Sequence, residues 1–365
     1  MNDENRKGWY TGEGMTYLYN ADLAQYSDDF WPTVDPYRMP ASTVDTKKRA
    51  DGSGEHNSSE SWIGGSTLNR FGTAGMSYKA WNSTLTAKKS WFMFDNEIVA
   101  LGSGISSNDN RTIESIVENR KIREDRSNNL LINGEKPELT EGQQHTVEAK
   151  WAFLEGNVPG SDIGYYFPEG RTLTVKKEQR TGAWKDINYG GPTNPITRSY
   201  ATMWFDHGVN PVNETYSYVL LPGLNQEQTS QYAAQPGITI LRNDPAVQAV
   251  HDVKEDIIGA NFWLDEKQTA GPLTVYQKAS VTMQEKDGVL TLAVSDPTMQ
   301  NKGWIEVDFD GKAFKVLEAD ENIQVLQTKP SIKLRVNVQQ SYGKSFTVKL
   351  KIIPSKKGNS PNSIR

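Results

Sequence analysis

Apolar and polar residues alternate with a period of two along much of this chain, in short runs rich in β-branched and aromatic side chains. Such alternation predicts half-buried β-strands, and short runs bounded by turn formers read as strands over residues 146–153, 164–167, 172–177, 199–205 and 216–221. Residues 280–295 alternate around Lys286-Asp287-Gly288 and residues 304–316 around Asp310-Gly311, a pattern that predicts two β-hairpins. Residues 331–338 and 345–353 read as two further strands. Nearer the start, 90–100 is a strand broken by an acidic turn, and 112–119 is a strand or a short helix. The first hundred residues hold short extended runs, such as 15–19, between turn formers, and read as strands and ordered loops. Many strands of modest length, and no helical bundle, predict an all-β fold built on a large antiparallel sandwich.

A chain of 365 residues has room for one large and one small β domain. The run 257–264 leading into Gly271-Pro272 reads as a joint, which sets the expected boundary near residue 260. The expected organisation is a large domain over 1–260, a small β domain over 261–355 and a frayed polar tail over 356–365. No repeat has the spacing of a solenoid or a propeller.

The 40 basic and 45 acidic residues leave a net charge of −5, and the basic residues are spread along the chain, so nucleic acid is not an expected partner. No apolar run is long enough to span a bilayer, and no membrane association is expected. With no cysteine, disulfides and thiolate metal sites are excluded. Residues 2–7 are polar where a signal peptide needs an apolar stretch, and a dense aromatic motif starts at Gly8, which gives the impression of a chain entered midway. The 10 Trp and 15 Tyr suit either a sandwich core or a sugar-stacking surface. His56, His145, His207 and His251 lack metal-ligand spacing and lie near no serine motif, so neither a zinc site nor a hydrolase triad is expected, and His207 reads as a turn residue.

The run Gly8-Trp9-Tyr10-Thr11-Gly12-Glu13-Gly14-Met15-Thr16-Tyr17-Leu18-Tyr19-Asn20, followed by Tyr26-Ser27-Asp28-Asp29-Phe30-Trp31-Pro32-Thr33-Val34-Asp35-Pro36-Tyr37-Arg38, closely resembles polysaccharide lyase family 8, the hyaluronate, chondroitin and xanthan lyases. Trp62-Ile63-Gly64-Gly65, Lys89-Ser90-Trp91-Phe92-Met93-Phe94-Asp95-Asn96-Glu97, Arg180-Thr181-Gly182-Ala183-Trp184 and Trp204-Phe205-Asp206-His207-Gly208 extend the likeness over roughly residues 8–260. The resemblance implies a galactose mutarotase-like β supersandwich followed by a small C-terminal β-sandwich. It also implies a preceding α/α toroid, not contained in this sequence, that carries the Asn, His, Tyr and Arg of catalysis. The implied reaction is β-elimination at a uronic acid, in which the carboxylate is neutralised, the C5 proton is removed and the 4-linked oxygen departs. The first two runs stand nearest to the xanthan-cleaving members. A hyaluronate or chondroitin lyase β region and a non-catalytic carbohydrate-binding module are the alternatives.

On that resemblance Glu97 is expected to face the cleft and to orient a toroid Arg or His. Asp95, Asn96 and Glu255 are the expected ligands of a structural Ca²⁺, the one cofactor anticipated. Arg198, placed before a strand, is expected to pair with an acidic sugar substituent. Trp31, Tyr37 and Trp62, with Trp9 and Tyr10 beside them, are candidates to stack on sugar rings. The expected partners are an acidic polysaccharide and the toroid, and the expected state is a secreted, extracellular bacterial monomer.

Overall fold

The structure, a computed structural model, describes residues 4–54 and 57–353, so His56 and the polar tail lie outside the described residues. It is nearly all β, and it divides into two compact units, residues 1–60 with 76–237 and residues 61–75 with 238–365. Among the described residues, no helix is long and apolar enough to cross a membrane.

The first unit is an antiparallel sheet in which the strands run in the order Thr43–Val44, Thr112–Ile122, Ile196–Val209, Ile163–Gly182, Glu214–Pro222, Glu97–Ser106 and Thr86–Phe94. Leu130–Ile132 and His145–Leu154 pair beside Ile163–Gly182. One face carries a core that includes Ile113, Val117, Tyr165, Phe167, Leu173, Met203 and Phe205. Thr112–Ile122 is buried along nearly its whole length, although it holds Glu114, Glu118, Asn119, Arg120 and Lys121.

The chain before residue 44 makes that burial tolerable, because it lies over the sheet and satisfies its polar groups. Arg38 forks onto Glu114 at 2.7 and 2.8 Å, and Asn119 donates to the Arg38 carbonyl at 2.9 Å. Arg120 donates to the Leu18 carbonyl, and Lys121 to those of Ala24 and Asp28. Buried charges are tolerated when paired and hydrogen-bonded, and here they are the means by which the cover is fastened. A small core of Trp9, Tyr10, Met15, Phe30, Val34, Met39, Val44 and Tyr200 fills the space beneath it. Residues 15–19, expected as an extended run, form no strand, and the Leu18 carbonyl among them accepts from Arg120.

The second unit contains a seven-stranded and a five-stranded antiparallel sheet around a core that includes Val247, Phe262, Val281, Leu292, Ile305, Leu334 and Val348. Residues 61–75 belong to it: Ser66 bonds Ser280 and Thr282, and Trp62 donates to the Phe262 carbonyl. The hairpin around Asp287-Gly288 is present between Ala279–Lys286 and Val289–Ser295, with both turn residues at positive φ as that turn requires.

Two expectations need correction. Trp304–Phe309 and Lys312–Ala319 do not form a hairpin: the first pairs with Ile332–Asn337 and the second with Phe346–Ile353, so Asp310-Gly311 is a corner between sheets. A Cβ at Gly311 would lie 2.3 Å from the Phe309 ring, which is why glycine stands at that bend. The units divide after Gly237, short of residue 260, and Ile257–Phe262 is a wholly buried strand inside the second unit.

Candidate functional site

In the first unit, an aromatic strip and an ion-paired rim occupy one stretch of the N-terminal cover. Tyr26 sits at the strip's centre, with edge contacts to Tyr17, Tyr19 and Phe30 at 5.3, 5.2 and 5.1 Å. Trp31 continues it, against Phe30 and Tyr17. The inner rings are packed, but Tyr17 and Tyr19 keep 38% and 71% of their surface exposed, so two ring faces and part of Trp31 meet solvent. An aromatic surface of this kind, pinned by its own edge-to-face contacts, is preorganised to take the apolar face of a sugar.

The rim is built on the adjacent Asp28-Asp29 pair. Arg198 donates to both oxygens of Asp28 at 3.0 and 2.8 Å and to Asp29 at 2.7 Å, while Lys121 reaches Asp28 at 3.0 Å. These bonds, those of Arg198 first, hold the Asp28 carboxyl at about 2. Asp29 takes a left-handed backbone conformation at the start of the one-turn helix Phe30–Thr33, and its other oxygen accepts from the Trp184 indole. Arg198 therefore spends most of its fork on the protein itself, and its anchoring partners were not foreseen although Tyr26-Ser27-Asp28-Asp29-Phe30 stood out as a motif.

Behind this surface lies a buried charged cluster. Arg49 donates to the Tyr10 hydroxyl, to Asp45 and to the Trp81 carbonyl. Burial pushes the Tyr10 phenol up to about 12. Tyr78 donates to Glu13 at 2.7 Å, and burial raises that carboxyl as well. Tyr37 packs on Trp9, and its hydroxyl accepts from the Arg49 amide, so it is held in the wall of this cluster.

Glu97 opens the strand Glu97–Ser106, directly after the two-residue turn Asp95-Asn96. The two turn residues are exposed, but the Glu97 side chain is buried and accepts a hydrogen bond from the Tyr232 hydroxyl. Tyr232 is held in turn by the helix Gln226–Ala234 and by an edge contact with Tyr166. The two partners are 135 residues apart, and no local signal in the sequence connects them.

Trp62 and Glu255 belong to the second unit. Trp62 is 3% exposed and packs at 4.1 Å on Trp263, so the expected sugar platform is a core residue instead. Glu255 faces Arg70 at 3.3 Å and Lys286 at 3.8 Å, which commits its carboxylate to cations of the protein. The expected calcium ligands do not form one set within either unit, and among the described residues no group of three or more His, Asp or Glu side chains gathers as a metal site. His207 bonds the Ser115 hydroxyl, and burial, with Arg171 nearby, pushes it down to about 4.

An aromatic strip over a large antiparallel sheet, followed by a unit of two smaller antiparallel sheets, defines an all-β protein of the sandwich class. The chain matches the super-sandwich domain of polysaccharide lyase family 8 over residues 1–233 and that family's C-terminal beta-sandwich domain over 239–304. It belongs to polysaccharide lyase family 8. It is 47% identical to a xanthan lyase of Bacillus sp. (strain GL1) over 353 residues, 95% of this chain and 37% of that protein. It is 38% identical to a hyaluronate lyase of Thermasporomyces composti, covering 94% of this chain and 44% of the relative. Among solved structures, a Paenibacillus xanthan lyase superposes with a TM-score of 0.93 at 44% identity, over 100% of this chain and 35% of that one. A Streptomyces coelicolor A3 chondroitin AC lyase in complex with chondroitin sulphate gives 0.82 at 36%, over 97% and 45%. The chain thus spans between about a third and a half of the length of these relatives.

Proposed function

We propose that this chain is the β region of a secreted lyase that cleaves xanthan at a glucuronate by β-elimination. The observation that carries this reading is the likeness over nearly the whole chain, higher to the two xanthan lyases than to the hyaluronate and chondroitin lyases compared with it. Elimination needs a group to neutralise the uronate carboxylate, a base for the C5 proton and an acid for the departing oxygen. In this reading those groups belong to the remaining length of the enzyme, and the chain supplies the opposing wall.

Each residue then has a limited task. Tyr17, Tyr19 and Trp31 stack on the glycan, and Arg198, steadied by Asp28 and Asp29, turns its remaining exposed edge to an acidic substituent. Glu97, held by Tyr232, is a positioning residue for a cation of the preceding domain. Secretion follows from the substrate, a polymer too large to enter a cell.

The test is the ultraviolet absorbance of the unsaturated uronate, measured with xanthan, hyaluronan and chondroitin on the longer polypeptide that contains this chain. Product from xanthan alone is expected. Product from hyaluronan or chondroitin instead replaces the substrate, and no product from any of the three removes the lyase reading.

A further inference from the structure

An open groove of about 870 Å³ lies in the first unit between the strand His145–Leu154 and the helix Gln226–Ala234. Trp151, half-buried, is part of its lining. In this strand Ala152 and Leu154 point into the core, so the period of two turns Trp151 and Phe153 to the opposite face. Gly134, at φ 90°, runs past the ring: its Cβ position lies 3.6 Å from the six-membered ring, and the left-handed turn keeps a side chain from covering it. The turn is rigid, because the Asn133 side chain accepts from the amides of Lys150 and Trp151 and donates to the Glu148 carbonyl.

The other wall is also preorganised. Asn225 and Gln228 cap the helix reciprocally, which fixes Gln226, Glu227, Ser230 and Gln231 along the groove. Gln231 donates to Glu227 at 3.2 Å, and across from them Glu155 accepts from Asn129 at 2.9 Å. Amides, a hydroxyl and carboxylates around an indole match a pyranose, whose C–H face packs on the ring while neighbouring hydroxyls bond the rim.

The charge decides which pyranose. The lining includes Glu155 and Glu227 but no Lys or Arg, and Arg123, which pairs with Glu155 at 2.9 Å, is already committed to that carboxylate. A uronate or a sulfated sugar meets like charge here. The cavity lined by Arg126, Lys136 and Lys177 differs in that it sets these three cations against Glu138 and Glu141, the second of which pairs with Arg126.

We propose that the Trp151 groove is a binding site for neutral hexopyranose units of the polysaccharide, separate from the surface around Arg198. The inference rests on the reading of this chain as part of a polysaccharide lyase. Calorimetric titration of the chain with a neutral gluco-oligosaccharide, and separately with a glucuronate-containing one, tests it. Neutral ligand binds the native chain, Trp151→Ala weakens it about tenfold or more at unchanged melting temperature, and Gln226→Ala weakens it less. Should Trp151→Ala lower the melting temperature, Ser230→Arg fills the groove from the exposed helix face and gives the same loss. Neutral binding that survives both Trp151→Ala and Ser230→Arg, or no neutral binding at all, overturns the proposal. Neutral binding lost in these variants, with no binding of the acidic oligosaccharide to any form, upholds the groove and counts against the Arg198 surface alone.

Discussion

The ammonium of Lys89 lies 2.6 Å from the carbonyl oxygen of Ala41, and both residues are closed to solvent. The same cation lies over the rings of Tyr78 and Trp91, and the Glu13 carbonyl is 3.4 Å away. One lysine thus holds two points of the N-terminal cover onto the sheet, and burial, opposed by Glu13, lowers its pKa to about 7.

This gives a signed pH dependence. Between about pH 7 and 10.5 the unfolded chain holds a proton on Lys89 that the folded chain has shed, so this residue's contribution to stability rises with pH across that window and is flat below it. The difference in melting temperature between the native chain and Lys89→Met is expected to shift toward the native chain from pH 7 to pH 10. A difference that stays constant shows that the ammonium is charged throughout.

Asp28 offers a second test. Arg198→Ala is expected to move the Asp28 carboxyl from about 2 back toward 3.8, with Lys121 retaining part of the shift, as read by carboxyl NMR titration. Because Asp28 is half-exposed, the loss in stability is expected to be small. An unmoved titration assigns the shift to Lys121 alone.

Tyr232→Phe removes the hydroxyl that donates to Glu97, and a buried acceptor deprived of its donor costs about 1–3 kcal/mol. Glu97→Gln keeps an acceptor while removing the charge, so it is expected to melt close to native while lowering turnover of the longer enzyme about tenfold, mainly in kcat. Turnover unchanged by Glu97→Gln shows that the carboxylate serves the fold alone.

His207 is held neutral, with its pKa near 4 against the usual 6.5. In that interval the unfolded chain binds a proton that the folded chain refuses, so stability falls as pH drops from 6.5 to about 4, on the order of 3 kcal/mol at most. His207→Gln, which keeps a polar partner for Ser115, is expected to remove this part of the acid sensitivity in urea titrations at pH 7 and pH 4.5.

What the sequence revealed and what it hid follow from the range of the interactions. The Asp287-Gly288 hairpin was legible because turn chemistry and alternation lie within a dozen residues. Asp310-Gly311 carries the same local signal yet joins two sheets, since pairing with residues 332–337 and 346–353 decides the outcome. The buried strand Ile257–Phe262 reads as a joint in the sequence because an apolar run bounded by charges looks alike in both settings. Arg198 stands out locally as an arginine before a strand, but its partners Asp28 and Asp29 are about 170 positions away. Trp62 could not be told from a surface tryptophan without Trp263 and the Phe262 carbonyl.

The alternation of the two units along the chain, with residues 61–75 joined to 238–365, means that this protein is not a pair of beads on a string. No single cut yields both pieces whole. A fragment starting at Ile238 lacks the strand Ile63–Leu68 and leaves Ser280 and Thr282 without the Ser66 hydroxyl, and is expected to aggregate unless the missing stretch is supplied in trans. Modular swapping between relatives would have to exchange residues 61–75 together with the late half, two separated stretches moved as one part.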